Sequence, residues 1–192
     1  MSIGFFVRRA LTVIAVGFAT LVGAGALSAG RACAHDPRFA CSPRDAKHPI
    51  SVSDPEKSWA YYGRLSAGTE DRYEVVTARA VTVPVQLLID QRDAGNPLRP
   101  IAVIADPAAR EISRIDLAQN RWFFEPFSRV TYLSSVKRTV SLPAGISSIT
   151  VTMHGAGAPQ RYTLAIGTVE RFSVWELPYI VGAAFRIHAR QF

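Results

Sequence analysis

The chain has 192 residues, 48% of them hydrophobic and 19% charged, with 22 basic against 15 acidic side chains. That balance excludes a disordered tail, a collagen-like repeat and a small disulfide-stapled scaffold, and a single long uncharged run excludes a multi-span membrane protein. The first 34 residues hold Arg8, Arg9 and Arg31 and no acid, so without them the positive excess falls from seven to four, and with no cluster of five Lys or Arg there is no footprint for nucleic acid.

Residues 10–30 carry no charged side chain and follow Arg8-Arg9, which is the pattern of an export signal. The run also has the roughly 20 residues needed to cross the hydrocarbon core of a membrane. Residues 1–34 therefore read as a signal peptide or as a helical membrane anchor held through residues 10–30. The triplet Ala32-Cys33-Ala34 offers a cut before His35. Only a faint twin-arginine character attaches to Arg8-Arg9, because Val7 stands where a polar residue precedes that pair. Either way the positive charge stays inside and the rest is exported, periplasmic or extracellular, or anchored facing out. Cys33 and Cys41 can form a disulfide in such a compartment if the cut spares Cys33.

Residues 35–57 are rich in proline and charge and read as an extended arm or linker. Residues 58–170 read as a β-domain. Trp59–Leu65 is a strand; Tyr73, Val75 and Thr77 alternate with Glu74, Val76 and Ala78 as a half-buried strand. In the β-branched run Val81–Ile89, Pro84 marks an edge or a bulge. A loop follows over Asp90–Pro100, then a strand over Ile101–Ala105 and an ambiguous one over Arg110–Leu117. Arg121–Phe127 reads as an aromatic loop, Val130–Leu133 and Arg138–Leu142 as strands. Ile149, Val151 and Met153 alternate with Thr150, Thr152 and His154, and Arg161–Val169 closes the domain. About eight short strands with turn signals every ten residues or so predict an antiparallel all-β sandwich. Residues 171–192 differ. Ser173 and Glu176 have capping-box spacing, and Ile180, Val181, Ala184, Phe185 and His188 recur at helical period, so a short C-terminal helix is expected, bent at Pro178.

Two stretches belong together: Gly63-Arg64-Leu65 with Gly68 and Asp71-Arg72-Tyr73, and Leu142-Pro143-Ala144-Gly145 with Ile149-Thr150-Val151 and Tyr162-Thr163-Leu164-Ala165-Ile166. They resemble the bacterial pre-peptidase C-terminal domains, which read G-x-L, a glycine turn, D-x-Y, alternating strands, L-x-x-G and a closing Y-x-L-x-I. Ser53–Ala60, with His-Asp-Pro upstream, is similar to an uncharacterised group of exported proteins with that sandwich. The resemblance spans residues 59–168 and implies a jelly-roll β-sandwich; members of the family are accessory modules beside an enzyme. Its motifs are turn and core residues, which specify a fold and not a chemistry. By residue chemistry alone, Gly68 and Gly145 suit turns with positive φ, Asp71 suits a bond to the turn backbone, and Tyr73 and Tyr162 suit the core with their hydroxyls at its rim.

No G-x-S-x-G elbow is present, and the four histidines are scattered. A chain beginning at His35 would offer its α-amino group and imidazole to copper, with His48 or His154 adding a nitrogen. The oxygens of Asp90–Asn96 lack the pattern of a calcium loop and fit turn chemistry. Trp122, Phe123 and Phe124 beside Arg121 read as a cover for the sandwich end or as an exposed ligand or partner platform. Trp175, Phe185 and Phe192 with Arg186 and Arg190 suit packing on the sandwich or a membrane surface. The expected function is a non-enzymatic binding module of the cell envelope, taking an envelope protein or a glycan and needing no cofactor. A copper-binding or oxidative protein and a structural envelope protein are the alternatives.

Overall fold

The alternation along Tyr73–Thr77 and Ile149–Met153 decides which surfaces meet, because successive strand residues face opposite sides. Tyr73, Val75, Ile149 and Val151 are wholly inside, while Glu74 and Thr150 face outward. A computed structural model describes residues 35–40, 45, 47–126, 128–171 and 173–192. The expectations for the 10–30 run and for a Cys33–Cys41 bridge lie outside the described residues.

Twelve strands form among these residues: β1 (Asp36–Phe39), β2 (Ile50–Val52), β3 (Trp59–Leu65), β4 (Glu70–Thr77), β5 (Val81–Asp90), β6 (Arg99–Ala105), β7 (Glu111–Ile115), β8 (Asn120–Glu125), β9 (Val130–Ser135), β10 (Arg138–Leu142), β11 (Gly145–His154) and β12 (Gln160–Ile166). One helix, α1 (Leu177–His188), follows. The first sheet runs β1-β3-β12-β5-β9-β8 with β10 also on β5; the second runs β2-β4-β11-β6-β7. Both are mixed, since β1 joins β3 and β2 joins β4 in parallel.

The two sheets share one core. Tyr61, Leu65, Val85, Leu87 and Leu164 of the first meet Tyr73, Val75, Ile104, Ile149 and Val151 of the second. Each such side chain contributes roughly 1.5–3 kcal/mol by leaving water. A second, smaller core lies on the outer face of the first sheet, where Ile187 of α1 packs with Ala60, Tyr62, Leu88, Tyr132 and Ala165. The described residues are thus mostly β, with one short α-helix laid on a sheet.

The strand count exceeds the eight expected, for two local reasons. β1 and β2 fall in the segment read as an arm, and strands of four and three residues are too short to show a period. The supposed aromatic loop is β8, whose residues are all exposed or half-exposed and so lack apolar–polar alternation. Pro84 sits inside β5, yet β12 ends at Ile166 opposite Val85, and the Pro84 carbonyl instead accepts the Gly167 N–H at 2.9 Å. A residue's N–H and C=O point to the same side of a strand, so the donor that proline lacks would have faced the end of β12. Gly68 and Gly145 do take positive φ, +73° and +119°.

At the C-terminus the Glu176 carboxylate accepts the Ser173 N–H at 2.7 Å, which completes half of the capping box. Pro178 lies in the first turn of α1, where a missing N–H is harmless, so it opens the helix rather than bending it.

Candidate functional site

β8 is one edge of the first sheet and, among the described residues, pairs only with β9. Trp122 is 55% exposed and Phe124 54%, with Phe123 at 37%. Trp122 stands opposite Leu133, Phe123 opposite Tyr132, and Arg121 opposite Ser134. Directly paired residues share a face. Trp122 and Phe124 therefore occupy one face, while Arg121 and Phe123 share the other with Tyr132, the side on which α1 lies. The four residues expected to act together are divided between two surfaces of one strand. A recess of about 620 Å³ adjoins the start of β8, lined by Gln119, Asn120, Arg121 and Lys137 among others.

The opposite edge of the molecule holds a groove of about 530 Å³ between β1 and β2, lined by Arg38, Trp59, Tyr61, Ser53, Tyr179 and Arg186 among others. Its cations lie over rings: the Arg38 guanidinium is 5.0 Å from the Trp59 ring centre and 5.3 Å from that of Tyr179, and Arg186 is 4.0 Å from Phe39. Behind the groove, Asp36 is wholly buried and accepts from Lys57 at 2.7 Å and Arg38 at 3.1 Å. Lys57 also reaches Glu176 at 3.3 Å, which ties the start of α1 to β1. The Ser173 N–H, then Lys57 and Arg38, hold the Glu176 carboxyl below its ordinary value. Sequence reading missed this site because its walls come from residues 38–61 and 179–186, and no spacing links them.

Helix α1 is apolar beyond its packed face. Ile180, Ala183 and Ile187 are buried, but Phe185 is 72% exposed and Trp175, in the turn before the helix, 88%. Phe192 is half-buried and packs 5.4 Å from Tyr62 and 6.1 Å from Phe39, which meets the packing expectation for the terminal residue.

The histidines expected to bind metal stand on separate segments. His35 precedes β1, His48 lies in the turn before β2 with its ring 3.3 Å from Asp45, and His154 ends β11 on an exposed position. Among the described residues no three His, Cys, Asp or Glu side chains gather as a metal set. The oxygens of Asp90–Asn96 are engaged in the turn. Burial pushes the Asp90 carboxyl up, but bonds from the Arg92 side chain and N–H outweigh it and hold the group below its ordinary value. Asp93 pairs with Arg190, and Asn96 accepts the Leu98 N–H.

No family model and no curated protein sequence matches the chain. Among solved structures it is similar to the pre-peptidase C-terminal domain of a collagenase from Bacillus anthracis, at 11% identity and a TM-score of 0.37, over 68% of this chain and 94% of that one.

Proposed function

We propose that the chain is an exported β-sandwich module, of the pre-peptidase C-terminal jelly-roll type, that binds an extended segment of a protein partner at the cell envelope and performs no catalysis of its own. One observation supports this above the others: among the described residues β8 presents a backbone edge without a pairing strand, with three exposed aromatic side chains. Natural sheets shield such edges with charge, proline or a covering element. A strand of a partner that pairs with β8 would satisfy its backbone groups and find aromatic surface on both faces. Arg121 and Lys137 at the adjoining recess favour acidic residues in that partner.

The test is a photo-crosslinking residue placed at Trp122 in cells producing the full chain, with the same residue at Val76 on the second sheet as control. A discrete adduct from position 122 alone, lost in Phe123→Pro, is expected. No adduct from 122, together with a large fall in melting temperature for Trp122→Ala, would show that the aromatics merely cover the sandwich end.

A further inference from the structure

A helix on the surface of a soluble sandwich normally presents charge to water. α1 does so only in its last turn: it contains no acidic residue, and apart from the Tyr179 phenol its ionisable side chains are Arg186 and His188. Pro178, Gly182, Phe185 and Ala189 are all exposed, and in helical projection they lie opposite the buried Ile180, Ala183 and Ile187. Trp175 extends this apolar crest beyond the helix start. On the flank toward β1 stand Tyr179 and Arg186, which also line the groove with Arg38.

We propose that this crest rests on the surface of an anionic phospholipid bilayer, with Trp175 and Phe185 at the level of the headgroups and the exposed Arg186 turned toward lipid phosphates. Three features select this occupant. Trp and Tyr beside an apolar crest are the side chains of the membrane–water boundary. The helix has 12 residues, so at about 18 Å it is too short to span and suits lying flat. The absence of acid on the helix, with the exposed Arg186 on one flank, complements negative lipid and not a basic protein surface.

The chain has three tryptophans, Trp59, Trp122 and Trp175, which permits a direct reading. The full chain is labelled with fluorotryptophan and reconstituted into bilayers of phosphatidylcholine, with or without phosphatidylglycerol, and the fluorine resonances are assigned from Trp122→Phe and Trp175→Phe. In the anionic bilayer, lipid-borne nitroxide should broaden the Trp175 signal about three-fold or more and leave Trp122 sharp. The effect should weaken without phosphatidylglycerol and in the Arg186→Gln chain. Broadening of Trp175 only by a water-soluble paramagnetic agent overturns the proposal. Protection of Trp175 from both agents, with cross-linking between copies, overturns it in favour of self-association. Where purification yields the chain cut before His35, co-flotation with phosphatidylglycerol vesicles replaces the nitroxide reading: flotation lost in Phe185→Ser supports the proposal, and absence of flotation refutes it.

Discussion

The Tyr162 hydroxyl donates to the Asp71 carboxylate at 2.5 Å, and its oxygen lies 2.7 Å from the Tyr73 hydroxyl. Tyr162 belongs to β12 of the first sheet; Asp71 and Tyr73 belong to β4 of the second. A polar chain therefore crosses the middle of the sandwich, and all three residues are within 1% of full burial. Burial above all, with the neighbouring Tyr73 and Asp71, pushes the Tyr162 hydroxyl well above its ordinary value, so it stays protonated and remains the donor. Gly63 makes room for it: a Cβ there would lie 2.5 Å from the Tyr162 ring.

Removing that hydroxyl leaves a buried carboxylate short of a donor and a buried phenol short of a partner. Tyr162→Phe should cost about 3 kcal/mol, toward the upper end for a bond to a charged group. Gly63→Ala acts by overpacking and should cost about 1–3 kcal/mol. Urea unfolding of both variants checks this, with midpoints falling at unchanged slope. A Tyr162→Phe midpoint equal to that of the parent would mean that the bond contributes nothing to stability.

This network also marks how far the sequence could be read. Gly63, Asp71, Tyr73 and Tyr162 stand out as motif residues, and the strands carrying them follow from period-2 alternation. The direction of their polar groups does not follow. Asp71 was expected to bond the turn backbone, and the tyrosine hydroxyls to reach the rim; instead they turn inward and meet, because β4 and β12 face each other across the core. Strand register and sheet pairing decide such contacts, and residues 89 and 91 positions apart leave no local signal. β8 shows the complementary failure. Its aromatics were legible as a candidate surface, but a strand exposed on both faces has no alternation to reveal it. The groove beside β1 was illegible for a third reason, since a parallel edge strand of four residues and a distant helix build it together.

The tie between α1 and β1 should respond to acid. Glu176 has its carboxyl held below the ordinary 4.5 in the folded chain, by the Ser173 N–H first and by Lys57 and Arg38 after it. A group with a lowered folded value stabilises the fold above its unfolded value and loses that contribution as pH falls through the folded one. Protection factors along α1, which remove the intrinsic pH dependence of amide exchange, should therefore be high at neutral pH and fall below about pH 4.5. Glu176→Gln should exchange faster at neutral pH and lose most of this dependence. Equal pH profiles for the two chains would show that Glu176 does not carry the acid response.

β9 and β10 are two halves of one strand broken by a bulge, and a single hydroxyl makes that break tolerable. Ser134 pairs with Leu88 and Arg138 with Val85, so three residues on one strand face two on the other. The extra residue disrupts the ladder beside Leu87, which is wholly buried and whose N–H must find another acceptor. The Ser135 hydroxyl accepts it at 3.0 Å, while the Gln86 side chain donates to the Ser135 carbonyl at 2.8 Å. Ser135→Ala should leave the Leu87 N–H unpaired in the core and cost about 1–3 kcal/mol. Ser135→Thr keeps the hydroxyl and should restore most of the loss, provided its added methyl is accommodated at this buried site. Hydrogen exchange at Leu87 separates a local effect from a global one: in Ser135→Ala this amide should lose protection before the rest of β5. Unchanged protection at Leu87 would show that the backbone shifts to close the bulge, and that the hydroxyl is not what holds it open.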